Sequence, residues 1–385
     1  MQAAQLNEFY DCIQSLVKEE NQRLDPSDTE YVHKIHRSSQ IYEFIGRSLI
    51  QFSMDPLSWS AGVGVLSLHF IQEWNLAHAI VHKTWDEDPN AAKFHYKNAR
   101  SWSVHMSKRL GMRGHLSHHS HTAVIGRDAD FSHHGWDRLS EKVEWKPYHL
   151  IQFPLAFVAF PFSLWAQSVH YSGLTDLFSG SEGSKPLVLK GKSKEDLQEA
   201  IKNFGEGFLP YFAYNYMLFP ALAGPFWWKV AFGNFCSELL CNVWMACVNL
   251  GNHLGGDTEL LLTGEEPKDR KLYLLKTIRV CNDFPLPKFL DFHTGGLNYH
   301  LAHHLSPRLS PNRLKGLTEK IKQTCLDYKV PYNEKGLLKA SINSFVKIAS
   351  FAFPGRKRKL ERVEGTVAPP KTCEAKNYLW KVTSP

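Results

Sequence analysis

Residues 295–314 have the sequence GGLNYHLAHHLSPRLSPNRL, in which three histidines recur at the i, i+3 and i+4 offsets of a helix. A second triplet with these offsets lies in HLSHH at 115–119, and an i, i+4 pair bounds HAIVH at 78–82. Because side chains at these offsets share one helical face, we expect each triplet to aim its imidazoles at a single point. The three motifs contain His78, His82, His115, His118, His119, His300, His303 and His304.

These eight imidazoles indicate a centre with two metal ions. Imidazole suits iron, zinc, copper and nickel, and a zinc site in its usual tetrahedral form takes four ligands at most. A lone H-x-x-x-H motif is more often helix packing than a metal site. Three such motifs beside apolar segments are a strong signal, because ionisable side chains near a bilayer are usually functional.

The overall composition narrows the class of protein. The chain has 385 residues, a formal charge of +7 and 20 histidines. This basic excess favours anionic partners such as lipid headgroups or nucleic acid, but apolar segments would have no role in a nucleic-acid-binding protein. The seven cysteines form no C-x-x-C pair, which argues against a zinc ribbon or an iron–sulfur cluster. The polar N-terminus predicts no secretory signal.

Four apolar stretches have the length of membrane-embedded segments, and tryptophans lie near their ends as in an interfacial belt. They are 57–74, 149–168, 208–224 and 226–250. The sequence therefore predicts an all-α integral membrane protein, a helical bundle of about four spanning or re-entrant segments with a cytoplasmic helical cap that holds the metals. The alternative is a soluble α protein in which these stretches are buried core helices.

Charge predicts the orientation of this bundle. The segment 83–148 and the region after residue 254 are rich in lysine and arginine, so both are expected to face the cytoplasm. The loop 171–205 is also basic, so the segment 149–168 is expected to begin and end on the same side of the membrane. Pro154 and Pro161 could break this segment into two half-helices. The stretch 41–54 is short and contains an arginine, and the sequence leaves open whether it crosses the membrane.

Three regions are predicted along the chain. Residues 1–40 form a polar N-terminal segment, 41–330 the membrane domain and 331–385 a cytoplasmic C-terminal tail. The basic run GRKRKLER at 355–362 is compatible with a solvated tail or with contact to anionic lipid.

The motifs resemble those of the membrane fatty acid desaturase superfamily, most closely its bacterial acyl desaturases. The resemblance covers roughly residues 40–320. Its first element is DPLSW at 55–59 with EWNLAHAIVHKTWD at 73–86, its second is HLSHHSHTAVIGRDADF at 115–131, and its third and most specific is 295–314. Three features depart from the family pattern: His300 stands where many relatives have glutamine, Ala77 replaces a glycine, and the pair His133–His134 is additional.

The resemblance implies a specific chemistry. Two ferrous ions would reduce O₂ to an oxidant that removes two vicinal hydrogens from a fatty acyl chain, carried as a thioester or as a lipid. The family also supplies a histidine at the place of His253, which we assign as a ninth metal ligand, and no catalytic side chain beyond the ligands is expected. Carboxylates near the motifs are candidates for orienting the imidazoles. These are Glu73, Asp128, Asp130 and Asp257.

Electrons are expected from a separate protein. The chain has no His-Pro-Gly-Gly haem motif, and GVGVLS at 62–67 lies inside an apolar helix instead of following a strand, as a dinucleotide site would require. A ferredoxin-like or cytochrome-like donor docked on the basic cytoplasmic face would fit this sequence.

The remaining histidines are interpreted otherwise. His69 is expected to be a satisfied group between helices, His121 to point away from the metals, and His293 to lie behind the ligands. His133 and His134 are assigned to the surface or the substrate entrance.

Several alternatives stay open from the sequence. The same scaffold could perform hydroxylation, ketolation or oxidative decarboxylation, because these outcomes diverge only after the first hydrogen is removed. A zinc-dependent membrane hydrolase would need fewer histidines and a catalytic serine or carboxylate. A bis-histidine haem protein would need single histidines within paired spans.

Overall fold

The computed structural model describes residues 3–23, 25–131, 136–178, 189, 191–255 and 257–354. These residues are mostly helical, as the sequence predicted. The α-helices are α1 (Ala3–Gln22), α2 (Pro26–Phe52), α3 (Pro56–Val81), α4 (Lys108–His121), α5 (Gln152–Ala159), α6 (Ser163–Ser172), α7 (Lys194–Phe212), α8 (Phe219–Leu222), α9 (Trp227–His253), α10 (Arg270–Val280), α11 (Lys288–Phe292), α12 (His300–Leu305), α13 (Pro311–Asp327) and α14 (Leu337–Phe351). The strands are β1 (Val124–Ile125) and β2 (Leu261–Leu262).

Helices α2 and α3 form an antiparallel hairpin. The turn is set by Asp55, whose side chain accepts a hydrogen bond from the backbone of Ser58 at 2.9 Å. The two backbones approach closely at Gly46, where an added Cβ would lie only 2.6 Å from the backbone nitrogen of Leu66. The stretch 41–54, which the sequence left undecided, is thus the second half of α2 and packs along α3.

Two helical stretches, Pro147–Ser172 and Gly224–His253, are long and apolar enough to cross a membrane. The first is interrupted by the 3₁₀ turn Phe160–Phe162 between α5 and α6, so the break expected within 149–168 is confirmed at Pro161. Pro154 does not break the chain, because it lies in the first turn of α5, where a proline is tolerated.

The prediction of four apolar segments holds only in part. Residues 208–224 do not form a helix of their own: they comprise the end of α7, the π-helical turn Ala213–Leu218 and α8, and they connect to α9 through the 3₁₀ turn Gly224–Phe226. Residues 57–74 are the first two-thirds of α3, which continues to the first histidine motif. Within the described ranges, length and composition therefore support two spans instead of four.

A second core lies beside these long helices. It joins α1, α10, α12 and α13 through fully buried apolar side chains such as Phe9, Ile278 and Leu317. Strands β1 and β2 pair in parallel, with Val124 opposite Leu261, and connect the segment after α4 to the segment after α9. This packing holds the ends of α4, α9 and α12 near one another.

The two terminal regions are more integrated than the sequence suggested. Helix α2 runs without interruption through residue 40, where the polar N-terminal segment was expected to end. At the other end, α14 packs on α9, and the Ser344 hydroxyl donates to the Leu250 carbonyl at 2.9 Å. Residues 331–354 are thus part of the bundle and not of a free tail, while the basic run 355–362 lies outside the described residues.

Candidate metal centre

The candidate ligands lie at the ends of four helices. His82 is the C-cap residue of helix α3, and Lys83 after it adopts a positive φ of 59° that turns the chain away. Helix α4 is capped by Ser107 and carries the second motif. Helix α12 follows Gly295 and Gly296, whose φ values of 61° and 80° lie in the region that favours glycine. The glycine pair thus allows the turn that brings the third motif to the other helix ends.

Two hydrogen bonds to the backbone hold the start of α12 and the end of α9 in place. The Asp283 carboxylate accepts a hydrogen bond from the Leu301 backbone at 2.9 Å and holds the first turn of α12. The Asn282 backbone donates to the Asn252 carbonyl at 2.9 Å, next to the end of α9 at His253. Sequence reasoning missed Asp283, because nothing in its local sequence indicates that it contacts a helix that starts seventeen residues later.

The histidines form two groups of four, within each of which the ligand atoms lie within 4.8 Å of one another. The first imidazole group is His78, His82, His115 and His303. Its His78 Nε2 and His115 Nε2 atoms are 2.7 Å apart. This group draws on all three motifs, from α3, α4 and α12.

The second imidazole group is His118, His253, His300 and His304. The His300 Nε2 atom lies 2.8 Å from His253 Nε2 and 3.0 Å from His304 Nε2. The histidine at the end of α9, which belongs to none of the three motifs, therefore lies inside a group. His300 also lies inside it, which supports its assignment as a candidate ligand.

The expectation that each triplet aims at one point is wrong. His115 belongs to the first group and His118 to the second, and the third motif divides in the same way between His303 and His304. Successive helical residues differ by about 100° around the axis, so the i+3 and i+4 side chains diverge to opposite sides of residue i. Each of these helices consequently contributes to both groups.

His119 lies between the two groups. Its Nε2 atom is 3.2 Å from His115 Nε2 and 3.2 Å from His303 Nε2 in the first group. Its ring stacks on His304 of the second group, with centroids 4.3 Å apart. All nine histidines assigned from the sequence are therefore brought together.

The donor set fits two first-row metal ions. Nitrogens bound to one such ion at about 2.1 Å stand about 3 Å apart. The shortest separations are close to this value, at 2.7 Å in the first group and 2.8 Å in the second. Burial holds the pKa of His115, His119 and His303 well below its usual value, which favours the neutral imidazole that binds metals. Buried ring nitrogens that face only one another are otherwise unfavourable, and a cation between them removes that penalty.

One carboxylate pair supports a ligand directly. Asp128 is fully buried and accepts a hydrogen bond from His118 Nδ1 at 2.8 Å, while Asp130 lies 3.5 Å from the same atom. Burial alone would lower the pKa of His118, but these carboxylates outweigh it and raise that pKa to about 9. The contact leaves Nε2 of His118 free to face the second group.

The other two candidate carboxylates occupy different places. Glu73 accepts hydrogen bonds from the Ser39 hydroxyl at 2.7 Å and the Ser101 hydroxyl at 2.6 Å. Asp257 has a side chain that is 84% exposed and lies 3.9 Å from Lys335. Neither Glu73 nor Asp257 therefore contacts a ligand histidine in the way that proximity in sequence suggested. Proximity in sequence does not show in which direction a side chain near a helix end points.

An apolar cavity of about 390 Å³ opens from the two imidazole groups. It runs between α3, α6, α7, α9 and the segment 99–108. Its wall includes Trp74, Met106, Leu164 and Met245. An elongated apolar molecule could lie in this cavity with part of its length against the histidines.

Comparison with known proteins agrees with this geometry. Residues 57–336 match the family model described as fatty acid desaturase, which is more than half of the chain. This chain belongs to the fatty acid desaturase family. It is an oxidoreductase of the desaturase type, and the recognition made from the histidine motifs is confirmed.

Curated relatives of this desaturase carry related activities. It is 24% identical over 341 residues to the NADPH-dependent stearoyl-CoA 9-desaturase of Mycobacterium tuberculosis (strain H37Rv), which covers 86% of this chain and 76% of the relative. It is 25% identical over 238 residues to the acyl-lipid (8-3)-desaturase of Mortierella alpina, which covers 61% of this chain and 50% of the relative.

Three other histidines of this desaturase have partners outside the two imidazole groups. His69 has one ring nitrogen 2.9 Å from the Ser39 hydroxyl and the other 2.8 Å from the Ser103 hydroxyl, so its expected role between helices is confirmed. His121 Nδ1 faces the Ser117 carbonyl at 3.2 Å. His293 Nδ1 faces the Phe289 carbonyl at 2.7 Å instead of a ligand histidine. His133 and His134 lie outside the described residues.

Sequence reasoning also missed a residue of the cavity wall, Tyr171. Its hydroxyl donates to Asp130, which connects the cavity wall to the His118 side of the centre. The ring fits against α4 only because residue 114 is glycine: a Cβ there would lie 2.1 Å from the Tyr171 ring. The sequence carries no local signal for this contact, since the two residues belong to different helices.

Proposed function

We propose that this protein catalyses O₂-dependent desaturation of a fatty acyl chain at a di-iron centre held by nine histidines. The observation that carries the proposal is the pair of four-imidazole groups beside an apolar cavity. The proposed ligands are the eight histidines of the two groups, His78, His82, His115, His118, His253, His300, His303 and His304, together with His119, which lies between the groups.

Each part of the site has a distinct task in this proposal. When bound, the two Fe²⁺ ions supply the O₂ chemistry needed to remove hydrogen from an unactivated methylene. The apolar cavity binds the acyl chain and excludes water from the reacting carbons. Asp128 accepts a hydrogen bond from the Nδ1–H of His118, which keeps the Nε2 atom of that ring directed at the second group.

The acyl carrier is proposed only as a class. The Mycobacterium tuberculosis relative is named for stearoyl-CoA and the Mortierella alpina relative for an acyl-lipid, so a thioester and a lipid are both candidates here. The fatty acyl chain itself is common to both names and is the part that the apolar cavity suits.

Lipid analysis of an expression host tests the reaction. We expect expression of the chain in a host with a suitable electron donor to give acyl chains lighter by about two mass units, with a new double bond. Products heavier by about sixteen mass units would instead support hydroxylation on the same scaffold. A matched chain carrying His303→Ala should give neither product.

Metal content tests the centre separately from the reaction. The purified protein should contain about two irons per chain and should lose activity with an iron chelator. Active protein that retains stoichiometric zinc would contradict the di-iron proposal and would favour the zinc hydrolase alternative.

We further propose a multi-pass membrane topology with the histidines and the C-terminus in the cytoplasm. Exposed apolar side chains on the long helices, including Phe44, Phe52, Trp228 and Phe232, support contact with lipid. Reporters fused after the C-terminus and inserted within 175–195 should both be cytoplasmic. A loop reporter outside the cell would mean that Pro147–Ser172 crosses the membrane.

A further inference from the structure

Helix α14 carries its large apolar side chains on the outside of the fold. Leu338, Ile342 and Val346 recur every four residues on one face of this helix, and they are between 53% and 76% exposed. The opposite, buried face consists mainly of small and hydroxylated residues, which are Ala340, Ser341, Ser344 and Ile348. A helix on the surface of a water-soluble domain has the reverse arrangement, so the outer face of α14 suits contact with apolar material.

The buried face of α14 packs closely on the end of α9 that carries His253. The Ser344 hydroxyl donates to the Leu250 carbonyl at 2.9 Å, and a Cβ added at Gly255 would lie only 2.6 Å from the Cβ of Ala340. Close packing through small side chains, with serine hydroxyls bonded across the helices, is typical of helix contacts within lipid. Helix α14 therefore lies at the same end of the long helices as the metal centre.

Helix α5 extends the apolar face of α14. The rings of Phe160, just after α5, and Phe345 of α14 are in contact, with centroids 5.0 Å apart. Residues 147–173, which include α5, contain no charged side chain. We use the name α5–α14 surface for the apolar residues of this region that are more than half exposed: Leu155, Phe157, Val158, Leu338, Ile342, Val346 and Phe353.

The α5–α14 surface ends where a basic run begins along the chain. Arg138 and Trp145 donate hydrogen bonds, at 3.2 and 2.9 Å, to backbone carbonyls of residues 351–353 and hold the end of α14 in place. The sequence then continues as GRKRKLER at 355–362, with five basic residues and one glutamate. The segment 137–146 has three acidic and three basic residues, so the positive charge next to the surface comes from the run.

Length and charge identify what covers this surface. Helix α14 has 15 residues and is about 22 Å long, which is shorter than the roughly 20 residues of a membrane-spanning helix. A short helix with an apolar face, followed by a cluster of lysines and arginines, is typical of a segment that lies in the interface of an anionic membrane.

We propose that the α5–α14 surface lies at the boundary between acyl chains and headgroups in the leaflet beside the metal centre, and that the basic run binds anionic phospholipid headgroups there. This lipid contact is separate from the acyl cavity and from the desaturation reaction. It can therefore be measured as binding, without turnover.

The test measures lipid binding by the full chain in detergent micelles. Energy transfer from tryptophan to a dansyl-labelled lipid reports the affinity for phosphatidylglycerol, which is anionic, and for phosphatidylcholine, which has no net charge. The variant I342Q/V346Q makes the α5–α14 surface polar. Its matched control, L197Q/I201Q, changes an exposed apolar pair with the same spacing on α7.

A second pair of variants tests the charge. R356Q/K357Q/R358Q/K359Q neutralises the basic run. Its matched control, R37Q/K97Q/K288Q/K315Q, neutralises four exposed basic residues elsewhere in the chain.

We expect the two pairs to differ in lipid selectivity. I342Q/V346Q should weaken the binding of both lipids by at least about fivefold relative to its control, because two apolar side chains lose their burial in acyl chains. The neutralised run should weaken phosphatidylglycerol binding by about tenfold or more at low salt, and by less at about 0.5 M salt. Its affinity for phosphatidylcholine should stay within about twofold of its control.

Three results would overturn the proposal. Equal phosphatidylglycerol affinity of the neutralised run and its control would remove the anionic contact, and equal affinities of I342Q/V346Q and L197Q/I201Q would remove the lipid surface. A dimer, seen by light scattering, that dissociates only in I342Q/V346Q would show that the surface joins two copies of the chain.

A measurement on the unmodified chain covers the case in which a variant does not fold. In vesicles that contain phosphatidylglycerol with a photoreactive headgroup, illumination should give lipid adducts within residues 338–362, located by peptide mass spectrometry. Adducts elsewhere but none in this range would overturn the proposal.

Discussion

Two regions of this molecule bury histidines beside carboxylates, and they satisfy the ring nitrogens in opposite ways. Between α2 and α3, both nitrogens of His69 face serine hydroxyls, at 2.9 and 2.8 Å. At the metal centre, nitrogens face nitrogens, as in the 2.8 Å pair His253–His300. Serine hydroxyls satisfy the ring nitrogens of the first region, whereas the nitrogens of the second region are arranged as donors to a cation, as proposed above. Burial of a histidine therefore does not by itself indicate a metal site. A better indicator is whether the nearest polar atom is another ring nitrogen or a hydroxyl.

The largest expected effect is the loss of a ligand at the centre. His253→Ala should abolish desaturation and leave about one iron per chain, because it removes one nitrogen of the second group while α9 keeps its other contacts. Iron content and double-bond formation measure this. His121→Ala is the control, since that ring lies outside both groups, and it should retain both irons. A His253→Ala protein with full iron and near-normal turnover would reduce His253 to a structural helix cap.

A smaller effect is expected one layer behind the ligands. Asp128→Asn should weaken iron affinity by about 10- to 100-fold, because the His118 ring loses the carboxylate that orients it. Competition with an iron chelator gives the affinity. If the variant binds iron as tightly as the unmodified chain, the buried carboxylate contributes to folding only.

A change at His69, where the protein itself satisfies both ring nitrogens, should affect stability and not iron binding. His69→Leu should leave the iron content unchanged and lower the free energy of unfolding by about 1–3 kcal/mol, because it removes the hydrogen bonds to Ser39 and Ser103. Thermal unfolding in detergent, with iron measured in parallel, tests both parts. Loss of iron from a folded His69→Leu protein would mean that the two regions are coupled.

The smallest effect is expected at Asp257, which the sequence grouped with the metal-site carboxylates. Its exposed side chain lies 3.9 Å from Lys335, so Asp257→Asn should change stability by no more than about 0.5 kcal/mol and leave iron affinity unchanged. Asp128→Asn serves as the matched comparison in the same chelator experiment. Equal losses of affinity in the two variants would contradict the distinction drawn from the structure.

The local sequence predicted those features that depend on neighbouring residues. Helical spacing identified the histidine motifs, and the number of imidazoles in them indicated two ions. The position of His253 came from resemblance to the family, and the structure brings it 2.8 Å from His300. The proline-interrupted apolar segment was also predicted correctly, because a proline acts on its own turn of helix.

Other features depend on how helices pack, and the local sequence does not encode them separately. Helix geometry separates the histidines of each triplet, but packing decides their partners: His115 and His303 join the histidines of α3, and His118 joins His253 of α9. The fit of Tyr171 against Gly114 and the contact of Asp283 with α12 join elements distant along the chain.

The sequence by itself determined which side chains could bind metal. The ability to bind a metal is a property of the single residue, and the spacing that puts histidines on one helical face depends only on the nearest few residues. Tertiary structure decided which histidines lie in the same group and which carboxylate contacts them. The physical reason is that side-chain direction within a helix is fixed by local backbone geometry, whereas the meeting of helix ends is fixed by the packing of the whole bundle.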